Sequence, residues 1–174
     1  MWIDRVVELI PGKKLVAVKN VSLAEEHLHD HFAAEPKQGL PATPVMPACF
    51  ILEGMAQAGG VLFGHANGFA FNVVLAKINR AEFLREATAG CTLRYTAEME
   101  RMDAGGVGAS VKGTVALLDH ARPSEGFVAI GGVEMMFSNL DNSRGQAGVV
   151  GVDYPSGNFV FGESFKTLLR SSGF

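Results

Sequence analysis

The sequence predicts an α+β domain in which an antiparallel sheet wraps a single long apolar helix. Three observations carry this. Residues 48–65 form one long apolar run behind Pro47. Segments 91–99 and 107–117 alternate apolar and polar side chains at the two-residue period of a half-buried strand, and 127–137 makes another such strand. The 21 glycines among 174 residues suit a turn-rich sheet better than a helical bundle.

The elements follow in order. Residues 14–21 alternate weakly and predict a first strand behind the Pro11-Gly12 turn. Residues 22–30 predict a short helix, with Ser22 as N-cap and Glu25 completing a capping box. The stretch 33–47 holds Pro36, Pro41, Pro44 and Pro47 and predicts irregular chain. The helix 48–65 starts behind Pro47 and ends near Gly64 or Gly68. Residues 72–78 are apolar and β-branched enough for a buried strand. In 91–99, Cys91, Leu93, Tyr95, Ala97 and Met99 face one way. In 107–117 the inward set is Val107, Ala109, Val111, Val115 and Leu117, and Ala104-Gly105-Gly106 supplies the hairpin turn between the two strands. The chain divides into one domain over 1–142 and a Gly-rich tail over 143–174. That tail ends in an amphipathic helix with Phe161, Phe165, Leu168 and Leu169 on one face.

Composition excludes several classes. A chain of this length buries enough surface to fold without staples. Cys49 and Cys91 lie far apart and make no Cys-x-x-Cys pair, so a reducing cytoplasm is the expected compartment. A net charge of −3 argues against a nucleic-acid binder. The start, Met1-Trp2-Ile3-Asp4-Arg5, does not resemble a signal peptide, and the apolar run 48–63 is broken by Glu53, Gln57 and glycines, unlike a membrane span. No nucleotide-binding glycine fingerprint or nucleophile elbow is present.

Chemistry concentrates around His31 and Glu53. Glu53 is the sole carboxylate of its helix, and Cys49, Glu53 and Gln57 recur every four residues as one stripe. In an apolar wall such a carboxylate holds its proton to higher pH, as a general acid requires; the plainer reading is a polar stripe at the surface or at a subunit contact. The helix start at Pro47, Ala48 and Cys49 offers free N–H groups at the positive end of the helix dipole, suited to a developing oxyanion. Cys49 there is a conceivable nucleophile, although a small packed residue is the plainer role. His27-Leu28-His29-Asp30-His31 suggests a metal box but lacks an evident third ligand, so neither metal nor cofactor is expected. His27 and His29 read as exposed polar residues.

His31-Phe32, followed by Pro44-Val45-Met46-Pro47-Ala48-Cys49-Phe50-Ile51-Leu52-Glu53-Gly54-Met55-Ala56-Gln57, resembles the signature of the 3-hydroxyacyl-(acyl carrier protein) dehydratases. A weaker likeness runs from Ile3 to Phe137, including Asp4-Arg5-Val6-Val7-Glu8, Phe83 and Gly90. The resemblance implies a hot-dog fold and a homodimer, or a trimer of such dimers, with active sites across the subunit interface. It implies His31 as the base at the carbon α to the thioester and Glu53 as the acid for the departing 3-hydroxyl. Backbone N–H groups of Ala48 or Cys49 then hold the thioester oxygen, and acyl carrier protein is the partner. Lys77, Arg80 and Arg85 are candidates for meeting that carrier or its phosphopantetheine.

Three departures stand out. His31 and Glu53 are about eight residues further apart than in the family pattern, an insertion placed within 33–43. Loop closure makes it cheap in stability. Ala48 replaces a glycine at the helix start, and Ala89-Gly90-Cys91 stands where Pro-Gly-Asp is usual. The sequence therefore leaves two alternatives: a catalytically weak acyl-thioester-binding protein, and a hot-dog thioesterase.

Overall fold

The structure is a computed structural model, and it describes residues 1–140 and 160–174. The first part of the Gly-rich tail, 143–159, lies outside the described residues. The chain runs β1 (Arg5–Ile10), β2 (Lys14–Val21), α1 (Glu26–His29), β3 (Val45–Met46), α2 (Ala48–Ala66), β4 (Asn72–Phe83), β5 (Ala87–Thr88), β6 (Cys91–Met102), β7 (Gly108–Asp119), β8 (Val128–Leu140) and α3 (Glu163–Ser172). Six strands form one antiparallel sheet in the order β1-β2-β6-β7-β8-β4, and β3 pairs with β5 alone. The sheet curls around α2, which is the hot-dog arrangement.

Register explains the core. Ala17 pairs with Tyr95 and Tyr95 with Val115, while Ala97 pairs with Gly113 and Gly113 with Val133. Side chains at these positions share one face of the sheet. Tyr95, Leu93, Val115, Leu117 and Ile130 are fully buried there, together with Met55, Leu62 and Phe63 of α2. Small residues set the spacing. A Cβ on Gly54 would lie 2.6 Å from the Tyr95 ring, one on Gly59 2.8 Å from Phe137, and one on Gly113 2.6 Å from Met55 Sδ. Glycine is therefore what lets α2 lie this close to the strands, at about 1 kcal/mol of helix propensity per position.

Several expectations are corrected. The segment 5–10 is a strand, β1, that the sequence did not announce, because Val6 and Val7 are adjacent and the ladder slips between Val6 and Glu8. Strand β4 continues five residues beyond Ile78. The capping box at Ser22 does not form. Ser22 Oγ instead accepts the Ala24 N–H at 3.1 Å, and α1 is a single turn starting at Glu26 with no side-chain cap. Val107 is exposed, not inward, because the Gly105-Gly106 turn precedes it and the strand starts only at Gly108. The Pro-rich stretch is irregular apart from a 3-10 turn at Pro36–Gln38 and the two-residue strand β3.

Near the N-terminus, Lys19 is buried on β2 and reaches Asp4 Oδ1 at 3.0 Å and Glu25 through a short contact. Burial pulls its pKa down, but the hydrogen bonds and charges of Glu25 and Asp4 together hold it above the ordinary lysine value. This pins the entry of β1 against β2. The described end of the tail belongs to the packed structure. Phe161, Leu168 and Leu169 are buried, and Ser172 Oγ accepts the Val6 N–H at 3.1 Å.

Candidate active site

The helix start comes first. Pro47 is the residue before α2, and the N–H groups of Phe50 and Ile51 bond back to its carbonyl at 2.9 and 3.4 Å. The N–H groups of Ala48 and Cys49 precede the first helical acceptor and have no intrahelical partner. Ala48 stands at the edge of a cavity of about 430 Å³ that it lines with Val45, Pro47, Ile51, Leu84 and Arg85 among others. The short β3–β5 ladder, Val45 with Thr88 and Met46 with Ala87, builds this mouth by tying the chain before α2 to the turn after β4. Cys49 is exposed rather than packed, as are Pro47 and Ala48 beside it.

One turn along, Glu53 is exposed within the chain. The expected burial in an apolar wall is therefore not supplied by a single chain: α2 is apolar because the sheet surrounds most of it, and Glu53 occupies its open side. The stripe itself holds. Gln57 Nε2 donates to Glu53 Oε1 at 3.0 Å, and Gln57 Oε1 accepts the Trp2 N–H at 2.8 Å. The second bond fixes the amide, since an oxygen facing a backbone N–H leaves the NH₂ facing the carboxylate. Glu53, Ala56, Gln57 and Gly60 form one wall of a cavity of about 280 Å³. Val73, Leu75, Phe137, Val160, Phe161 and Phe165 form the rest. A carboxylate at the rim of an otherwise hydrocarbon-lined space is suited to a substrate with one reacting polar end.

His31 lies just after α1 and is half-buried. Its Nδ1 is 2.7 Å from the Leu28 carbonyl oxygen. A carbonyl only accepts, so Nδ1 carries a proton, and in the neutral ring this leaves the lone pair on Nε2, the form a base requires. Phe32 beyond it is 84% exposed. The insertion folds back on itself, with Thr43 N–H donating to the Phe32 carbonyl and Glu35 pairing with Leu40. Within one chain these pieces do not share one cavity: Glu53 lines the 280 Å³ space, Ala48 the 430 Å³ space, and His31 neither.

The other histidines of the run have separate surroundings. His29 Nδ1 meets Asp30 at 2.9 Å on the surface. His27 is not exposed as expected but half-buried, edge-on to Trp2 and Phe50 at ring separations of 5.2 and 5.0 Å. Trp2 and Phe50 themselves stack at 4.1 Å. Among the described residues no cluster of three His, Cys, Asp or Glu side chains is placed to hold a metal ion, and no helix is long and apolar enough to cross a membrane. Of the basic candidates, Arg85 lines the helix-start cavity and lies 3.8 Å from Asp119. Arg80 pairs with Glu82, and Lys77 is exposed on β4. Trp2 and the amide role of Gln57 were not legible beforehand, since a backbone N–H leaves no mark in a sequence.

A family model described as the FabA-like domain matches residues 1–122. The chain is 44% identical over 110 residues to the 3-hydroxyacyl-[acyl-carrier-protein] dehydratase FabZ of Symbiobacterium thermophilum, covering 62% of this chain and 72% of that protein. It is 33% identical over 132 residues to the FabZ of Desulforamulus reducens, covering 75% and 87%. Among solved structures, the dehydratase heterocomplex ApeI:P of Xenorhabdus doucetiae superposes with a TM-score of 0.59 at 15% identity, covering 82% of this chain and 85% of that one. The E. coli PaaI protein does so with 0.55 at 11%, covering 78% of each. These two show the fold. The matched stretch contains the whole His31–Gln57 signature, and this chain belongs to the FabA/FabZ-like 3-hydroxyacyl-[acyl-carrier-protein] dehydratase family.

Proposed function

We propose that this chain dehydrates (3R)-hydroxyacyl chains carried on acyl carrier protein, in fatty-acid or related lipid synthesis, to give trans-2-enoyl thioesters. The observation that carries the reading is the pairing of Glu53 with an apolar cavity, one turn from a helix start whose N–H groups are free to take an oxyanion. The thioester oxygen accepts from the N–H of Ala48 or Cys49, where the helix dipole favours negative charge. His31 Nε2 removes the proton from the carbon α to the thioester. The C–O bond at the 3-position breaks, the leaving hydroxyl takes the proton of Glu53, and water departs. The proton on His31 returns to Glu53 through solvent, so the cycle closes with no redox change.

Two features support a homodimer in which His31 of one subunit meets Glu53 of the other. Neither histidine nor acid shares a cavity with the other inside one chain. Strand β4 is also an edge, exposed on both faces from Leu75 to Glu82, and such an edge invites pairing with a second copy. Covering Glu53 in this way would supply the desolvation that raises a carboxyl pKa. Arg85, which lines the same cavity as Ala48, is the side chain that would meet the phosphate of the phosphopantetheine arm.

The test is ultraviolet absorbance of the enoyl thioester formed from 3-hydroxybutyryl-acyl carrier protein. Wild type should turn over, and His31→Ala and Glu53→Gln should each lose about 10²–10⁴-fold in kcat. Full activity in either variant overturns the assignment of that residue, and no turnover by wild type on any acyl carrier overturns the reading.

A further inference from the structure

The cavity beside Glu53 has a wall that lies outside the stretch matched to the family. Phe161 and Phe165, with Val160, come from the end of the chain, beyond residue 122. They meet α2 on the same side as Glu53. From Glu53, the wall continues through Gln57 to Gly60, about 10 Å along the helix axis at 1.5 Å per residue. One turn further stands Gly64, where a Cβ would come within 2.7 Å of the Phe161 ring. The ring therefore lies flush against the helix backbone at the far end of the space.

That far end is firmly built. Phe161 packs edge-to-face against Phe69 at 4.9 Å and against Phe165 at 5.7 Å. Phe69 has φ of 54°, a left-handed conformation that a bulky side chain rarely adopts, held by its N–H donating to the Gly64 carbonyl at 2.7 Å. Phe161 is buried, whereas Phe165 is only partly so and stands over the cavity. The volume, about 280 Å³, is at the small end for an organic ligand.

We propose that Phe161 and Phe165 are specificity residues that form the blind end of the acyl channel and limit this enzyme to short 3-hydroxyacyl chains. This rests on the dehydratase reading above. An acyl chain whose reacting carbons lie at Glu53 runs along Gln57 and Gly60 between Val73, Leu75 and Phe137, toward the Phe161 ring where it closes against Gly64.

The experiment compares 3-hydroxybutyryl-, 3-hydroxyoctanoyl- and 3-hydroxydodecanoyl-acyl carrier protein as substrates for the full chain. Wild type should show kcat/KM falling from the four-carbon to the twelve-carbon chain. Phe165→Ala should raise the twelve- to four-carbon ratio at least about tenfold, the scale on which pocket shape discriminates apolar groups. Phe165→Trp should move the same ratio the opposite way, which a merely loosened fold would not do. Phe161→Ala, judged only if its melting transition is cooperative, should act as Phe165→Ala does. An unchanged ratio in folded Phe165→Ala and Phe165→Trp overturns the proposal, as does a wild type that prefers the twelve-carbon chain. Binding of saturated acyl-pantetheines of four, eight and twelve carbons reads the same limit without turnover. If wild type turns over nothing, the dehydratase reading fails, and this Kd series still decides whether the aromatic rings set a length limit.

Discussion

On the side of α2 that meets the sheet, Gly54 and Gly59 bring the helix within contact of the Tyr95 and Phe137 rings, and Met55, Leu62 and Phe63 are fully buried. On the side that carries Glu53 and Gln57, the same helix faces a cavity and solvent at these two residues, which are held by two hydrogen bonds in series to Trp2. One face is fixed by close packing, where an added methyl group is felt as strain. The other is fixed by polar geometry, where a change should alter chemistry and leave the fold standing. The difference teaches how one helix can be both the rod of the core and the carrier of Glu53, the proposed acid.

The comparison can be broken most directly at Glu53. Glu53→Gln should abolish nearly all turnover while leaving the melting temperature within about 2 °C, because an exposed side chain is exchanged for one of equal size. A large loss of stability would mean that the two faces are not separable. The converse holds for Gly54→Ala, whose methyl would meet the Tyr95 ring at 2.6 Å and the Trp2 carbonyl at 2.8 Å. It should cost about 1–3 kcal/mol, seen as a fall in Tm of about 2–4 °C per kcal/mol.

Gln57 sharpens the comparison, since its amide joins Glu53 to the Trp2 N–H. Gln57→Leu should lower kcat about tenfold, the equivalent of one charge-assisted hydrogen bond, with KM little changed. Gln57→Glu keeps an acceptor for the Trp2 N–H but sets a second carboxylate against Glu53. It should move the alkaline limb of the pH–rate profile, the one a protonated acid sets, upward, as like charges do. A purely structural role would move Tm and leave that limb in place.

The smallest expected effect concerns the buried face. The Tyr95 hydroxyl is buried without a hydrogen-bond partner among the described residues, and burial, with the charges of Asp4 and Glu25, pushes its pKa well above the ordinary value. The folded chain thus keeps this proton to higher pH than the unfolded chain, and stability falls as pH rises above about 10. Lys19, with its pKa also raised, contributes below its ordinary value and loses that contribution in the same alkaline range. Tyr95→Phe should flatten part of the alkaline decline and leave neutral-pH stability within about 1 kcal/mol, as measured by denaturant midpoints from pH 8 to pH 11.

Much of this was legible beforehand where periodicity and burial coincide. Strand β2 has the boundaries expected from its pattern, and α2 runs one residue beyond the expected end. The segments read as illegible or misread share a cause. The second half of β4, with Lys77, Asn79, Arg80 and Glu82, is exposed on both faces and so carries no two-residue apolar signal. Strands β3 and β5 are two residues each, too short for any pattern. At the site, residue types and order pointed to His31, Glu53 and the helix start. The sequence could not show that Glu53 stands on the open side of an apolar helix, nor that a backbone N–H at Trp2 would orient Gln57. The apolar face of α3 was visible at Phe165, Leu168 and Leu169, but not that Phe161 would stand two residues before the helix or that it and Phe165 would line the Glu53 cavity.

Strand β4 also bears on how the protein must be handled. Its outer edge offers a row of backbone donors and acceptors beside exposed Leu75 and Ile78, guarded by Lys77, Arg80 and two register slips. A chain left alone at that edge is a template for any extended segment it meets, its own copies in misaligned stacks included. With the proposed pairing of two copies along this edge, specific activity should fall on dilution as the copies separate.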